Sequence, residues 1–74
     1  MNYRDHIEIV SGKRSGQPCV KGTRITVGDV LGWLASDMSI EDIIEDFPRL
    51  SKVDIKACLA YAADRERHVS VIAA

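Results

Sequence analysis

One pattern, repeated three times, constrains this chain more than any other. A Ser or Thr is followed three residues later by Asp, and each copy opens an apolar run: Thr26-Val-Gly-Asp29, Ser39-Ile-Glu-Asp42 and Ser51-Lys-Val-Asp54. This is the capping-box pattern with Asp in place of Glu or Gln. The hydroxyl accepts from an otherwise unpaired amide of the first helical turn, and the acid faces the positive end of the helix dipole. A single Ser-x-x-Asp arises easily by chance. Three copies at intervals of 13 and 12 residues, each leading into helical periodicity, predict three helices.

The periodicity agrees. Val27, Val30, Leu31 and Leu34 recur at helical spacing, as do Ile40, Ile43, Ile44 and Phe47, and then Ile55, Cys58, Leu59 and Ala62. Each stripe is expected to face one shared core. Pro48 ends the second helix, because it disfavours helical backbone at Phe47 and has no amide hydrogen. Ser36-Asp37-Met38 makes a tight connection before the second cap. The third helix is expected to run to about His68, with residues 69–74 as an extended, β-branched tail.

Residues 1–25 read differently. Ile7-Glu-Ile9-Val10 alternates like a short strand, and Pro18-Cys-Val20-Lys looks like a second extended piece. Between them, residues 11–17 form a loop by composition. Gly22 is expected to supply positive φ at the turn into the first helix. A two-stranded hairpin alone is marginal in water, so it must pack on the helices or pair with another chain. The predicted fold is therefore mainly α. A short N-terminal β-hairpin (1–25) precedes a three-helix, helix-turn-helix unit (26–68), with residues 69–74 as the tail, in a single domain.

The 74 residues suit one domain, and 46% hydrophobic residues are enough for one aliphatic core. No apolar run approaches a membrane span, and the polar start MNYRDH is unlike a secretory leader, so a cytoplasmic protein without membrane association is expected. Cys19 and Cys58 lack Cys-x-x-Cys spacing and are read as buried free thiols. Together with His6 and His68 they show no ligand-like spacing. No metal, cofactor or small-molecule substrate is expected. Catalysis is not expected either: no Ser/His/Asp set, phosphate loop or paired-carboxylate spacing is present.

The net charge of −1 hides an uneven distribution. Residues 1–34 carry Arg4, Lys13, Arg14, Lys21 and Arg24 against Asp5, Glu8 and Asp29, a sum of +2. Residues 35–50 carry Asp37, Glu41, Asp42, Glu45 and Asp46 against Arg49, a sum of −4. Residues 51–74 sum to +1. An acidic middle thus separates two weakly basic ends.

Gly16-Gln-Pro18-Cys-Val20-Lys-Gly22-Thr23-Arg24-Ile25-Thr-Val27 resembles the signature G-x-P-x-(V/I)-x-G-T-R-I-x-V of domain-of-unknown-function family 433. The later segment Phe47-Pro48-Arg-Leu50-Ser51-Lys-Val-Asp54-Ile55, with Ala57-Cys-Leu59-Ala60-Tyr61-Ala62, is similar to that family's Y-P-x-L-(T/S)-x-x-D/E-I and A-x-L-x-Y-A pattern. Many members have Gly-Gly-Lys where this chain has Ser15-Gly16-Gln17, Pro at Thr26 and Gly at Arg49. The resemblance implies a helix-turn-helix fold of homeodomain-like or winged-helix-like kind, and an antitoxin of VapB type whose gene is paired with one for a PIN-like ribonuclease toxin.

A helix-turn-helix reads DNA with the first turns of its second helix. Here that helix opens at Ser51, leaving Arg49, Ser51, Lys52 and Lys56 as the candidate DNA-facing residues. Arg49 and Lys52 would meet phosphate and Lys56 a guanine edge. Alternatively the lysines form an ordinary solvated face and Ser51 only caps. Lys13 and Arg14 are candidates for clamping phosphate from the loop. Gly22, Thr23, Arg24, Thr26, Ser39 and Ser51 are read as structural, with Arg24 fixing the corner by reaching carboxylates or a helix end. Arg65, Arg67, Val69, Val71 and Ile72 form a candidate partner-binding element, the alternative being an ordinary frayed terminus. The acidic second helix would repel phosphate wherever it faced it.

Two functions stand beside each other. One is a homodimeric antitoxin that binds operator DNA, represses its own operon and neutralises a PIN-like toxin protein. The other is a protein-interaction module that keeps the helix-turn-helix shape without sequence-specific DNA binding.

Overall fold

The structure is a computed structural model that describes the backbone of residues 2–73 and the side chains of residues 2–67. A 3-10 turn (Tyr3–Asp5) leads into β1 (Ile7–Glu8), a second 3-10 turn (Arg14–Gly16) and β2 (Cys19–Val20). Three helices follow: α1 (Val27–Ala35), α2 (Ile40–Asp46) and α3 (Lys52–Ala73). The mainly α fold with an N-terminal antiparallel hairpin agrees with the sequence reading.

All three capping boxes form. Thr26 Oγ1 accepts from the Asp29 amide at 2.9 Å while the Asp29 carboxylate accepts from the Thr26 amide at 3.1 Å. Ser39 and Asp42 repeat the exchange at 3.0 Å each way, and Ser51 and Asp54 at 3.2 and 2.9 Å. The Ser39 amide, then the Ser39 hydroxyl, holds the Asp42 carboxyl below its ordinary range. The apolar stripes meet except at Leu59, expected in the third stripe but 42% exposed and outside the core: Val20, Val27, Val30, Ile43, Leu50, Ile55 and Cys58 form one buried cluster. Trp33 stacks on Phe47 with centroids 4.4 Å apart, so the residue that ends α2 also seals it to α1. α1 closes without glycine, because Asp37 takes the left-handed conformation at φ +71.

Three expectations need correction. The first strand was read over residues 7–10, but β1 pairs only as Ile7 opposite Val20 and Glu8 opposite Cys19. Ile9 is 62% exposed, and the Lys13 amide turns back to the Val10 carbonyl, which diverts the chain from the ladder. The sheet is widened instead on the other side of β2, where Cys19 bridges Thr26. Second, the loop between the strands contains the 3-10 turn at residues 14–16. Third, the tail read as extended over residues 69–74 belongs to α3 as far as Ala73. No Gly or Pro follows Pro48 in the sequence, so nothing stops the helix once it has started. Val69, Val71 and Ile72 therefore lie on this helix, and their side chains fall outside the described residues.

The N-terminal segment is tied to α3 at two points. Tyr3 donates its hydroxyl hydrogen to Asp64 Oδ2 at 2.7 Å, and His6 Nδ1 lies 3.2 Å from Asp54 Oδ1. The Asp64 carboxylate, as hydrogen-bond acceptor, holds the Tyr3 proton on and pushes its pKa up. Tyr3 also packs edge-on against Tyr61 at 5.4 Å. The marginal hairpin is thus anchored by the longest helix.

Candidate nucleic-acid interface

The corner between β2 and α1 is built around Gly22 and Thr23. Gly22 takes φ +78, as its place in the turn requires. Its amide donates to Glu8 Oε2 at 3.1 Å. Thr23 Oγ1 donates to the Val20 carbonyl and accepts from the Ile25 amide at 3.0 Å. Both residues hold the turn through these contacts.

Arg24 does not. Its side chain is exposed, and the group engaged at this corner is its carbonyl oxygen, which accepts from Arg14 Nη1 at 2.7 Å. The same nitrogen lies 3.1 Å from Asp29 Oδ2. Burial pushes the Asp29 carboxyl up, but the Thr26 amide, Arg14 and the Thr26 hydroxyl outweigh it and hold the group below its ordinary range. Arg14 therefore does what Arg24 was expected to do. Sequence spacing favoured Arg24 because it adjoins the glycine, whereas Arg14 arrives from a loop ten residues earlier.

Lys13 is also engaged internally. Its ammonium pairs with Glu8 at 2.5 Å. That contact, followed by the Gly22 amide, holds the Glu8 carboxyl below its ordinary range. Lys13 and Arg14 thus tie the loop together as half-buried cations whose charges are already paired with carboxylates.

Arg49 joins two basic segments. From the turn before α3 its Nη2 donates to the Gly22 carbonyl at 3.0 Å. This draws the loop bearing Lys21 and Arg24 against the turn bearing Arg49 and Lys52. All four cationic residues are exposed. Ser51, between Arg49 and Lys52, is occupied in capping. Lys56 is exposed one turn further along α3. The exposed acids Glu41, Asp42, Glu45 and Asp46 lie on α2, so the cationic end and the acidic helix are separate elements. Lys21 and Arg24 were not assigned to this site from sequence. Their membership depends on the contact between Arg49 and Gly22, which joins residues 27 positions apart.

Arg65 and Arg67 diverge. Arg65 donates to the Tyr61 hydroxyl at 3.2 Å and lies over its ring, at the edge of an open cleft of about 340 Å³ between α1 and α3. Arg67 is 72% exposed and lies 3.6 Å from Asp64. Among the described residues no cluster of His, Cys, Asp or Glu could hold a metal ion, and no helix is long and apolar enough to cross a membrane.

No curated protein matches the sequence. A solved structure does: that of a DUF433 member protein from Anabaena variabilis, with a TM-score of 0.81 at 21% identity. The match covers 90% of this chain and 66% of that one, so this chain spans only part of its relative's length. At that identity the likeness speaks for the fold. The sequence profile described as "Protein of unknown function (DUF433)" matches residues 7–62, which include the Gly-Thr-Arg corner, all three caps and the cationic turn, and the chain belongs to that family.

Proposed function

We propose that this chain is a DNA-binding regulator of the antitoxin kind, a binding protein and not an enzyme, with the cationic end of the molecule as its phosphate-facing surface. The contact from Arg49 to the Gly22 carbonyl carries the reading, because it gathers Lys21, Arg24, Arg49 and Lys52 beside the start of α3. Cations from two segments, fixed on a rigid corner, position a protein on duplex phosphate, while side chains on the first turns of the helix meet base edges. The exposed acids Glu41, Asp42, Glu45 and Asp46 belong to α2, a different element from the one that opens with Lys52. The pairing with a PIN-like ribonuclease toxin rests on the resemblance of the Gly-Thr-Arg and Phe-Pro-Arg-Leu segments, with Arg67 and the end of α3 as the element that meets the toxin.

The test is fluorescence anisotropy with duplex DNA from upstream of the chain's own gene, across a salt series. Affinity should fall steeply with salt, by a log–log slope of roughly 0.9 per phosphate contacted. Arg24→Ala and Lys52→Ala should each weaken binding and flatten that slope by about one contact. Absence of binding at low salt, alone and with the neighbouring gene's product, would refute the DNA-binding half. Failure of that product to be inhibited would refute the antitoxin half.

A further inference from the structure

We propose that the outer face of α3 is a self-complementary seam through which two copies of this chain form an antiparallel dimer. α3 has 22 residues, against 9 in α1 and 7 in α2. At about 1.5 Å per residue it is roughly 33 Å long, so the two short helices cannot cover all its sides. Its inner side carries Ile55, Ala57 and Cys58, all fully buried.

Another side carries Lys52, Lys56, Leu59, Ala63 and Glu66, and every one of them is exposed. Their spacing of four, three, four and three residues keeps them on one stripe of the helix, with the apolar Leu59 and Ala63 at its middle and charges toward its ends. Leu59, the large aliphatic residue at its middle, is 42% exposed.

The order of residues selects both the occupant and its direction. Turned end for end, the run Lys56, Leu59, Ala63, Glu66 faces itself with Lys56 opposite Glu66 and Leu59 opposite Ala63. Opposite charges then meet at both ends, and a large side chain meets a small one twice in the middle. A parallel pair would instead set Lys56 against Lys56 and Glu66 against Glu66. Lys56 and Glu66 cannot pair within one helix, since ten residues separate them by about 15 Å. Among the described residues neither makes an ion pair. The arrangement is isologous, so it closes at two copies and forms no fibre. It does not depend on DNA binding, and it takes Lys56 out of the set facing DNA.

Sedimentation equilibrium of the full chain without DNA, from about 1 to about 200 µM, spans the range in which a small seam associates. A concentration-dependent dimer is expected. Lys56→Glu alone and Glu66→Lys alone should each weaken it at least tenfold, because symmetry makes two repulsive contacts per substitution. The combined variant K56E/E66K should return it to within about threefold of the parent, since it restores both pairs with the charges exchanged. All these positions are exposed, and far-UV circular dichroism checks that the helices persist. A chain that stays monomeric throughout, single variants that dimerise like the parent, or a double variant that does not recover would each overturn the proposal.

Discussion

Arg14 and Asp29 meet across the corner that joins the hairpin to α1: Nη1 lies 3.1 Å from Oδ2 and donates as well to the Arg24 carbonyl at 2.7 Å. One guanidinium thus holds a loop, a strand exit and a helix cap together. Arg14→Ala should lower stability by about 1–2 kcal/mol, the range for losing a partly exposed charge-assisted contact. Arg14→Lys should recover less than half, because both contacts come from the terminal nitrogen Nη1, which the shorter lysine side chain falls short of reaching. Urea unfolding measures both. In the same variants the Asp29 carboxyl should move up toward its ordinary range, which NMR titration reads. An unchanged midpoint would show that the corner holds without Arg14.

Ser15 sits beside that arginine at φ +60, and Arg14 itself is at φ +49. Left-handed backbone costs a residue with a Cβ roughly 1–2 kcal/mol. Many family members have glycine where this chain has Ser15. Ser15→Gly should therefore stabilise the fold, by about 0.5–1 kcal/mol once the greater freedom of the unfolded glycine chain is subtracted. Thermal unfolding decides the sign. A lower melting temperature would mean that the Ser15 side chain contributes more than its backbone strain costs.

The three helices were legible because their starts are written locally. A hydroxyl and an acid three residues apart define a cap whatever surrounds them, and all three caps form where the sequence placed them. Gly22 was legible for a similar reason, since its conformation is a property of one residue. The cationic surface was legible only in part. Arg49 and Lys52 are neighbours in sequence, but Lys21 and Arg24 join them through a carbonyl contact that no spacing rule contains. The assignment of the corner to Arg24 failed because chain proximity stood in for spatial proximity. The end of α3 was not legible, because its β-branched residues favour an extended tail locally while only the absence of any Gly or Pro after Pro48 marks the helix.

The caps differ in burial, and their energies should differ with it. Thr26 is 2% exposed and also bridges Cys19, whereas Ser39 is exposed to solvent. Removing an exposed cap hydroxyl costs about 1 kcal/mol, and a buried one leaves an amide without water to replace it. Ser39→Ala should thus cost about 1 kcal/mol and Thr26→Ala about 2 kcal/mol. The double variant S39A/D42A should cost less than its two parts added, because each single change breaks the same reciprocal box. Equal losses at Thr26 and Ser39 would show that burial does not set the strength of these caps.

Cys58 is fully buried in the core beneath α3, and burial, reinforced by the Asp54 charge, pushes its thiol from the ordinary 9.0 up to about 12. Only the thiolate attacks, so native Cys58 should resist thiol reagents at neutral and mildly alkaline pH. Cys19 is also fully buried. Labelling by a disulfide reagent should therefore be slow for both and should accelerate to two equivalents per chain only on unfolding. The pH dependence has a defined sign. A group whose folded pKa is raised contributes its stability fully below the unfolded value. The contribution is then lost as pH rises, here between 9.0 and about 12. Chemical unfolding at stepped alkaline pH should show that decline, and Cys58→Ala should remove the part due to this thiol while costing core packing at every pH. Rapid native labelling of both thiols, or an alkaline decline unchanged in the variant, would contradict the burial of a protonated Cys58.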